Sequence, residues 1–212
     1  MFPDYDPIER LTDAAVHVLG VFASLVAAPI LIALVIPTHD TESIVAAAVY
    51  ASTLTGTLGI SAAYNLVGRP NWKGLLRRLD HGAIFLLIAG TYTPFAAVSL
   101  GGRLGGWLLV LVWLAASGGF LVKLAWPRRF ERASVIVYLV LGWIGLPATG
   151  ALIASLPAVA LVLLLVGGIC YTIGVVFFLW GTLPHHNAIW HIFVLAGAGC
   201  HFVAVLKTLV TP

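Results

Sequence analysis

The sequence predicts an all-α integral membrane protein, a bundle of seven transmembrane helices with a cytoplasmic N-terminus and an external C-terminus. Of its 212 residues, 61% are hydrophobic and only 9% are charged, whereas soluble domains carry about 25% charged residues. Long stretches contain no Asp, Glu, Lys or Arg, and the basic residues form short clusters between them. So few charges cannot cover a water-soluble globule, which excludes a soluble enzyme, a nucleic-acid-binding protein and a disordered chain.

Four charge-free stretches in the first part of the chain each match one crossing. A transmembrane helix needs about 20 mostly apolar residues, and each stretch is close to that length or longer. We therefore expect the first four helices near residues 14–36, 44–67, 80–100 and 104–125.

The rest of the chain contains 74 consecutive residues, 133–206, without a formal charge. As a helix this stretch would be about 110 Å long, or about three crossings of a hydrocarbon core about 30 Å thick. Prolines break helices, and Pro157 and Pro184 divide the stretch in two places. The last three helices are expected at 133–155, 157–183 and 188–210, and all seven form one domain, residues 1–212.

The orientation follows from the basic residues, because Lys and Arg concentrate in cytoplasmic loops. With the N-terminus inside, only Arg103 and Lys207 of the 11 basic residues lie outside. The other nine lie on the cytoplasmic side: Arg10, Arg69, Lys73, Arg77, Arg78, Lys123, Arg128, Arg129 and Arg132.

Polar side chains within apolar helices are expensive to bury, so each is a candidate functional residue. The predicted topology brings eight of them to the cytoplasmic ends of four helices, where we expect them to line a single pocket. Pairs spaced four residues apart also share a helix face. The eight are Asp13 and His17 in the first helix, Ser61 and Asn65 in the second, Asp80 and His81 in the third, and Asn187 and His191 in the seventh.

Taken singly, these residues also have structural interpretations. Asp80 could cap the third helix, whose N-terminus favours a negative charge, as do the nearby Arg77 and Arg78. His191 could be an interfacial histidine bonded to a carbonyl, and the asparagines could satisfy backbone groups at helix ends. The convergence of several such residues at one depth favours the functional interpretation.

Two segments closely resemble the signature segments of bacterial haemolysin III proteins. Residues 76–95 read LRRLDHGAIFLLIAGTYTPF, and residues 188–197 read AIWHIFVLAG. Glu9, Asp13 and His17 are similar to the family's amino-terminal pattern Glu-x-x-x-Asn-x-x-x-His, with Asp13 at the Asn position.

The resemblance covers nearly the whole chain. Haemolysin III proteins belong to the progestin and adipoQ receptor superfamily, which includes the adiponectin receptors. The resemblance implies a seven-helix bundle with a cytoplasmic N-terminus, in the cytoplasmic membrane of a bacterium.

The resemblance also implies a zinc ion in the cytoplasmic leaflet. In the family, three histidines hold it, one ending helix 2 and two in a His-x-x-x-His that opens helix 7. A helix 3 aspartate acts through water, and a helix 2 serine lies close by. Ser61 and Asp80 match as candidate catalytic residues, and His191 matches as a metal ligand together with Asp80. Asn65 and Asn187 stand at the other two histidine positions.

Two amides in place of two imidazoles change the chemistry of this site. Zinc sites use His nitrogen, Cys sulfur or carboxylate oxygen, and a neutral amide oxygen is a poor substitute. We therefore expect zinc, the one cofactor that the resemblance implies, to bind poorly here. Our hypothesis is that Asn65 and Asn187 instead bridge helices 2 and 7 by hydrogen bonds, directly or through Asp80 or His191.

Three functions agree with these residues, and we favour the first. It is a non-catalytic haemolysin III-like protein, receptor-like or active in membrane homeostasis; cytolysis is implied by the family name alone. The second is a zinc-dependent lipid-amide hydrolase, as the ceramidase-like activity of adiponectin receptors implies, with Asp80 and His191 holding water and Ser61 assisting. The third is a proton-linked carrier. Such proteins often repeat a pair of broken spans between their two halves, and this sequence contains no such repeat. Membrane lipids are the expected partners, nucleic acid is not, and no protein partner is indicated.

Overall fold

The computed structural model of the protein describes residues 6–37, 41–67, 69–126 and 130–210. Within them, seven helical spans are long and apolar enough to cross a membrane, which confirms the predicted seven-helix membrane bundle. The helices are α1 (Pro7–Val35), α2 (Thr41–Leu66), α3 (Pro70–Thr93), α4 (Gly102–Ala125), α5 (Glu131–Gly142), α6 (Thr149–Ser155), α7 (Ala158–Leu179) and α8 (His186–Val210).

The fifth span consists of α5 and α6 together. The end of α6 at Ser155 and the gap between α7 and α8 agree with the breaks predicted at the two prolines. Arg128 and Arg129, on which the orientation partly depends, lie outside the described residues, and the orientation stays a prediction.

Helices α1 and α3 begin before the apolar stretches that predict them. The side chain of Asp6 caps α1 by accepting a hydrogen bond from the N–H of Ile8 (3.1 Å), an arrangement that suits a helix start. α3 begins at Pro70, ten residues before residue 80. A count of charge-free residues identifies only the apolar part of a helix. It therefore excluded the first turns of α3, which contain basic residues.

Pro94 divides the third span into two helical forms. Proline has no N–H, and its ring collides with the carbonyl four residues earlier. α3 therefore ends at Thr93, and the chain continues as a wider π-helix, Pro94–Leu100. The hydroxyls of Thr91 and Thr93 each donate to the carbonyl four residues earlier (2.8 Å), so these side chains are paired within the helix beside the proline.

The fifth span is interrupted in its middle. α5 ends at Gly142, and α6 begins at Thr149 after a short 3-10 turn that contains Pro147. Tyr92 of α3 provides partners for backbone groups at this interruption. Its hydroxyl donates to the carbonyl of Gly142 (2.7 Å) and accepts from the N–H of Gly145 (3.0 Å). Non-helical backbone is tolerated at membrane depth only where it is buried in protein or lines a water-filled cavity.

The helices pack as consecutive neighbours, and the first also packs against the last. α1 contacts α2 and α8, α2 contacts α3, α3 contacts α4, and α7 contacts α8. Tyr50 of α2 is fully buried in the main core, together with Leu31 of α1 and Val205 of α8. Large apolar side chains face outward, such as Leu11 (71% exposed) and Leu114 (70% exposed), as expected of a surface covered by acyl chains.

The contact between α3 and α4 is close because Gly119 has no side chain. A Cβ at this position would lie 2.5 Å from the ring of Phe85. Phe85 is buried and packs against the ring of Tyr138 with the centroids 4.5 Å apart, so the ring has little room to move. Helices in lipid associate through such close approaches at small residues.

We predict that Gly119→Ala destabilises the bundle by about 1–3 kcal/mol, the usual cost of overpacking. Gly118→Ala is the matched control, because within the described part of the chain a Cβ there would have no atom within 4 Å beyond its own helix backbone and chain neighbours, and alanine favours the helix. The measurement is the midpoint of thermal unfolding in detergent, read as the monodisperse fraction that survives heating. Equal midpoints for the two variants would contradict the close α3–α4 contact.

Candidate functional site

The predicted site residues of α1 lie on one face near the start of the helix. Asp13 and His17 are four residues apart and Glu9 lies four residues before Asp13, so the three share this face. Only 14% of the Asp13 side chain and 4% of the His17 side chain are exposed. The face is covered by the beginning of α8.

The start of α8 is held against α1 by its preceding residue, His185. This residue has a φ of 58°, a left-handed conformation in which histidine is more common than most residues. Its N–H donates to Oε1 of Glu9 (2.7 Å). Its Nδ1 lies 3.0 Å from Oγ1 of Thr12, whose hydroxyl donates to the carbonyl of Ile8 (2.6 Å). The histidine is therefore the donor, and both contacts fix the turn on α1.

Asp13 is the centre of the contact between α1 and α8. Its Oδ1 accepts a hydrogen bond from Nδ1 of His191 (2.8 Å), and its Oδ2 accepts one from Nδ2 of Asn187 (3.1 Å). Asn187 and His191 are four residues apart, so one face of α8 presents both donors. Hydrogen bonds to a charged acceptor are about twice as strong as neutral ones.

His17 completes this group, which we call the Asp13 cluster: Asp13, His17, Asn187 and His191. Nε2 of His17 lies 3.5 Å from Oδ2 of Asp13, and the rings of His17 and His191 have centroids 4.1 Å apart. This Nε2 is buried and has no hydrogen-bond partner among the described residues. Most buried side-chain polar atoms have a partner, so the nitrogen of His17 needs an explanation.

The other predicted site residues lie in α2 and α3. Ser61 is buried, and its carbonyl accepts a hydrogen bond from Nδ2 of Asn65 (2.9 Å). Asp80 and His81 are partly buried, and the carbonyl of His81 accepts a hydrogen bond from a tyrosine of α5 (2.6 Å). No hydrogen bond or ion pair between described residues joins these four to the Asp13 cluster. The single pocket lined by all eight stays a prediction.

The two asparagines bond differently from our hypothesis. Asn65 donates within its own helix, as polar side chains near helix ends often do. Asn187 donates to Asp13 of α1, because a charged acceptor competes better than a neutral amide. The observed bridge therefore joins the first and last helices, and it is not an amide pair between the second and the last.

A further close approach supports this junction one turn deeper. A Cβ at Gly20 of α1 would lie 2.7 Å from Cδ2 of Leu195 of α8. The small residue lets the two helices stay in contact below the polar cluster.

The family model for "Haemolysin-III related" proteins matches residues 9–202, which include the whole Asp13 cluster. The chain belongs to the haemolysin III family. It is a multi-pass membrane protein.

Individual relatives extend this haemolysin III assignment. The chain is 41% identical to "Hemolysin-3" of Bacillus cereus over 201 residues, 93% of this chain and 90% of that protein. It is 38% identical to "Hemolysin-3 homolog" of Bacillus subtilis (strain 168), over 93% of each chain. It is 28% identical to "Monocyte to macrophage differentiation factor" of Homo sapiens over 171 residues, 76% of this chain and 69% of that protein. The haemolysin III chain is thus also related to the progestin and adipoQ receptor superfamily.

Sequence reasoning missed the contributions of Thr12 and His185. Neither matches a pattern used above, and their contact joins residues 173 positions apart. The sequence identified Glu9 only as part of the amino-terminal family pattern. Its spacing of four residues from Asp13 was the one signal that the two share a helix face.

We predict that Asp13→Ala destabilises the haemolysin III bundle. The substitution leaves His191 and Asn187 without their acceptor, and an unsatisfied buried polar group costs about 1–3 kcal/mol. Asp80→Ala is the matched control, because the side chain of Asp80 makes no hydrogen bond to another described residue. Thermal unfolding in detergent is the measurement, and an equal loss in both variants would show that the cluster does not join the helices.

Proposed function

We propose that this chain is a non-catalytic, receptor-like haemolysin III protein of the bacterial cytoplasmic membrane, active in membrane homeostasis. The observation that carries the proposal is that the polar residues at the α1–α8 junction form hydrogen bonds between the two helices. Asn187 and His191 of α8 each donate a hydrogen bond to Asp13 of α1, an arrangement suited to holding the two helices together.

The zinc site implied by the family does not fit the residues present. Of its three histidine positions, only His191 is an imidazole, and its Nδ1 is bonded to Asp13. Asn65 and Asn187 offer neutral amides, which are poor zinc ligands, and both donate to other acceptors. The activation of water by zinc at these positions therefore has no support here.

The exposed face of α1 suggests how the bilayer could act on the junction. Leu11, Val18, Leu19 and Phe22 are exposed along this helix, in contact with lipid in the proposed setting. The opposite, polar face of the same helix bears Asp13. In this proposal, a change in lipid packing acts on α1, and the Asp13 cluster transmits the change to α8.

The first test distinguishes this function from lipid-amide hydrolysis. Purified protein in vesicles that contain ceramide is expected to release no fatty acid above protein-free vesicles, with or without added zinc. Release that is lost in both Ser61→Ala and Asp80→Asn would establish the hydrolase instead. Release of a dye trapped in the same vesicles would indicate the lytic activity that the name of the Bacillus cereus relative describes.

The second test measures membrane order in cells. In a bacterial strain that lacks its own haemolysin III proteins, we expect expression of this chain to change the polarisation of a membrane dye after a temperature shift. Asp13→Ala is expected to reduce the change at equal protein level, and Asp80→Ala is the control. An unchanged dye signal on expression of the parent protein would contradict the proposal.

A further inference from the structure

Three potential metal-binding side chains converge at the α1–α8 junction. Asp13, His17 and His191 each offer one ligand atom, and these atoms all lie within 4.8 Å of one another. Two of them come from α1 and one from α8. The structure thus brings together two imidazole nitrogens and a carboxylate oxygen, the donor types that zinc prefers.

The separation of the first two ligand atoms suits a metal ion. In a tetrahedral zinc site with bonds of about 2.0–2.1 Å, neighbouring ligand atoms lie about 3.3 Å apart. Oδ2 of Asp13 and Nε2 of His17 are 3.5 Å apart, too far for a strong hydrogen bond. A metal ion would also provide the missing partner of the buried Nε2 of His17.

The third ligand requires one local change. Nδ1 of His191 donates to Oδ1 of Asp13 at 2.8 Å, so its proton must move to Nε2 before Nδ1 can bind a metal. Imidazole exists in both tautomers, and this exchange changes neither the charge nor the proton count of the ring. The hydrogen bond is then replaced by two bonds to the same ion.

The surroundings of the three ligands favour a cation. Asn187 donates to Oδ2 of Asp13 (3.1 Å), and hydrogen bonds of this kind orient metal-binding carboxylates. Glu9 lies one turn before Asp13 on the same face of α1, which adds a second negative charge near the group.

The geometry points to a zinc site formed by Asp13, His17 and His191 at the junction of α1 and α8. It shares only His191 with the site that the family implies, and the carboxylate at position 13 stands where the family pattern has a neutral Asn. Three protein ligands leave a fourth position for water. The ion would hold the first and last helices together, so its binding would add to bundle stability.

Metal content does not depend on hydrolysis or on membrane order, so this inference goes beyond the proposed function and can fail separately from it. The experiment loads the detergent-purified chain with zinc, removes the excess by gel filtration and measures zinc per chain by elemental analysis. We expect about one zinc per chain in the parent, as a single three-ligand site predicts, and a higher unfolding midpoint with zinc than with a chelator.

Variants locate the ion. Asp13→Asn and His17→Gln are expected to lower zinc affinity by more than the roughly 10–100-fold typical of losing an outer-shell partner, because each removes a ligand. Asp80→Asn is the matched control for the first and His81→Gln for the second, and both should keep the zinc. Gel filtration shows which variants remain folded.

Cobalt provides a readout that needs no variant. The parent chain loaded with cobalt should show the visible absorption bands of a tetrahedral site without a thiolate charge-transfer band, because no cysteine is a ligand. Absence of bound zinc and of these bands in the parent would overturn the inference. Zinc that is lost in Asp80→Asn and kept in His17→Gln would also overturn it, because the ion would then occupy the positions of the family site.

Discussion

A carboxylate shielded from water dictates how the two ends of this chain meet. A buried charge is strongly unfavourable unless it is paired and hydrogen-bonded. Asp13 meets this condition because Asn187 and His191 of α8 supply donors to both of its oxygens. These partners lie at the opposite end of the sequence, so the need of one side chain joins the first helix to the last and sets the depth of α8 relative to α1.

The need of shielded polar groups for hydrogen-bond partners also explains how the irregular segments of the fold are stabilised. Within a membrane, backbone groups that leave a helix must find partners in the protein. Tyr92 serves the interruption after Gly142, and Glu9 serves the turn at His185. In both cases a side chain from a distant helix bonds to a freed backbone group. The polar residues within the spans thus act as structural links as well as candidate site residues.

The sequence could predict the parts of the site that lie within one helix, but not the contacts between helices. The i, i+4 spacing of Asp13 with His17 and of Asn187 with His191 follows from the helix repeat, so sequence reasoning could place each pair on one face. The partners across the junction depend on how α1 and α8 are rotated and aligned, which spacing does not encode. For that reason the hypothesis linked Asn187 to Asn65, whereas the structure pairs it with Asp13.

The sequence by itself determined the membrane class, the seven spans and the breaks at Pro157 and Pro184. These features depend on apolar length and on local backbone chemistry, which are properties of short segments. Only the tertiary structure decided that Tyr92 hydrogen-bonds to the backbone where the fifth span is interrupted and that Asp13, His17 and His191 lie close together. Contacts of this kind depend on the register between helices, and that register is set by the packing of many side chains at once.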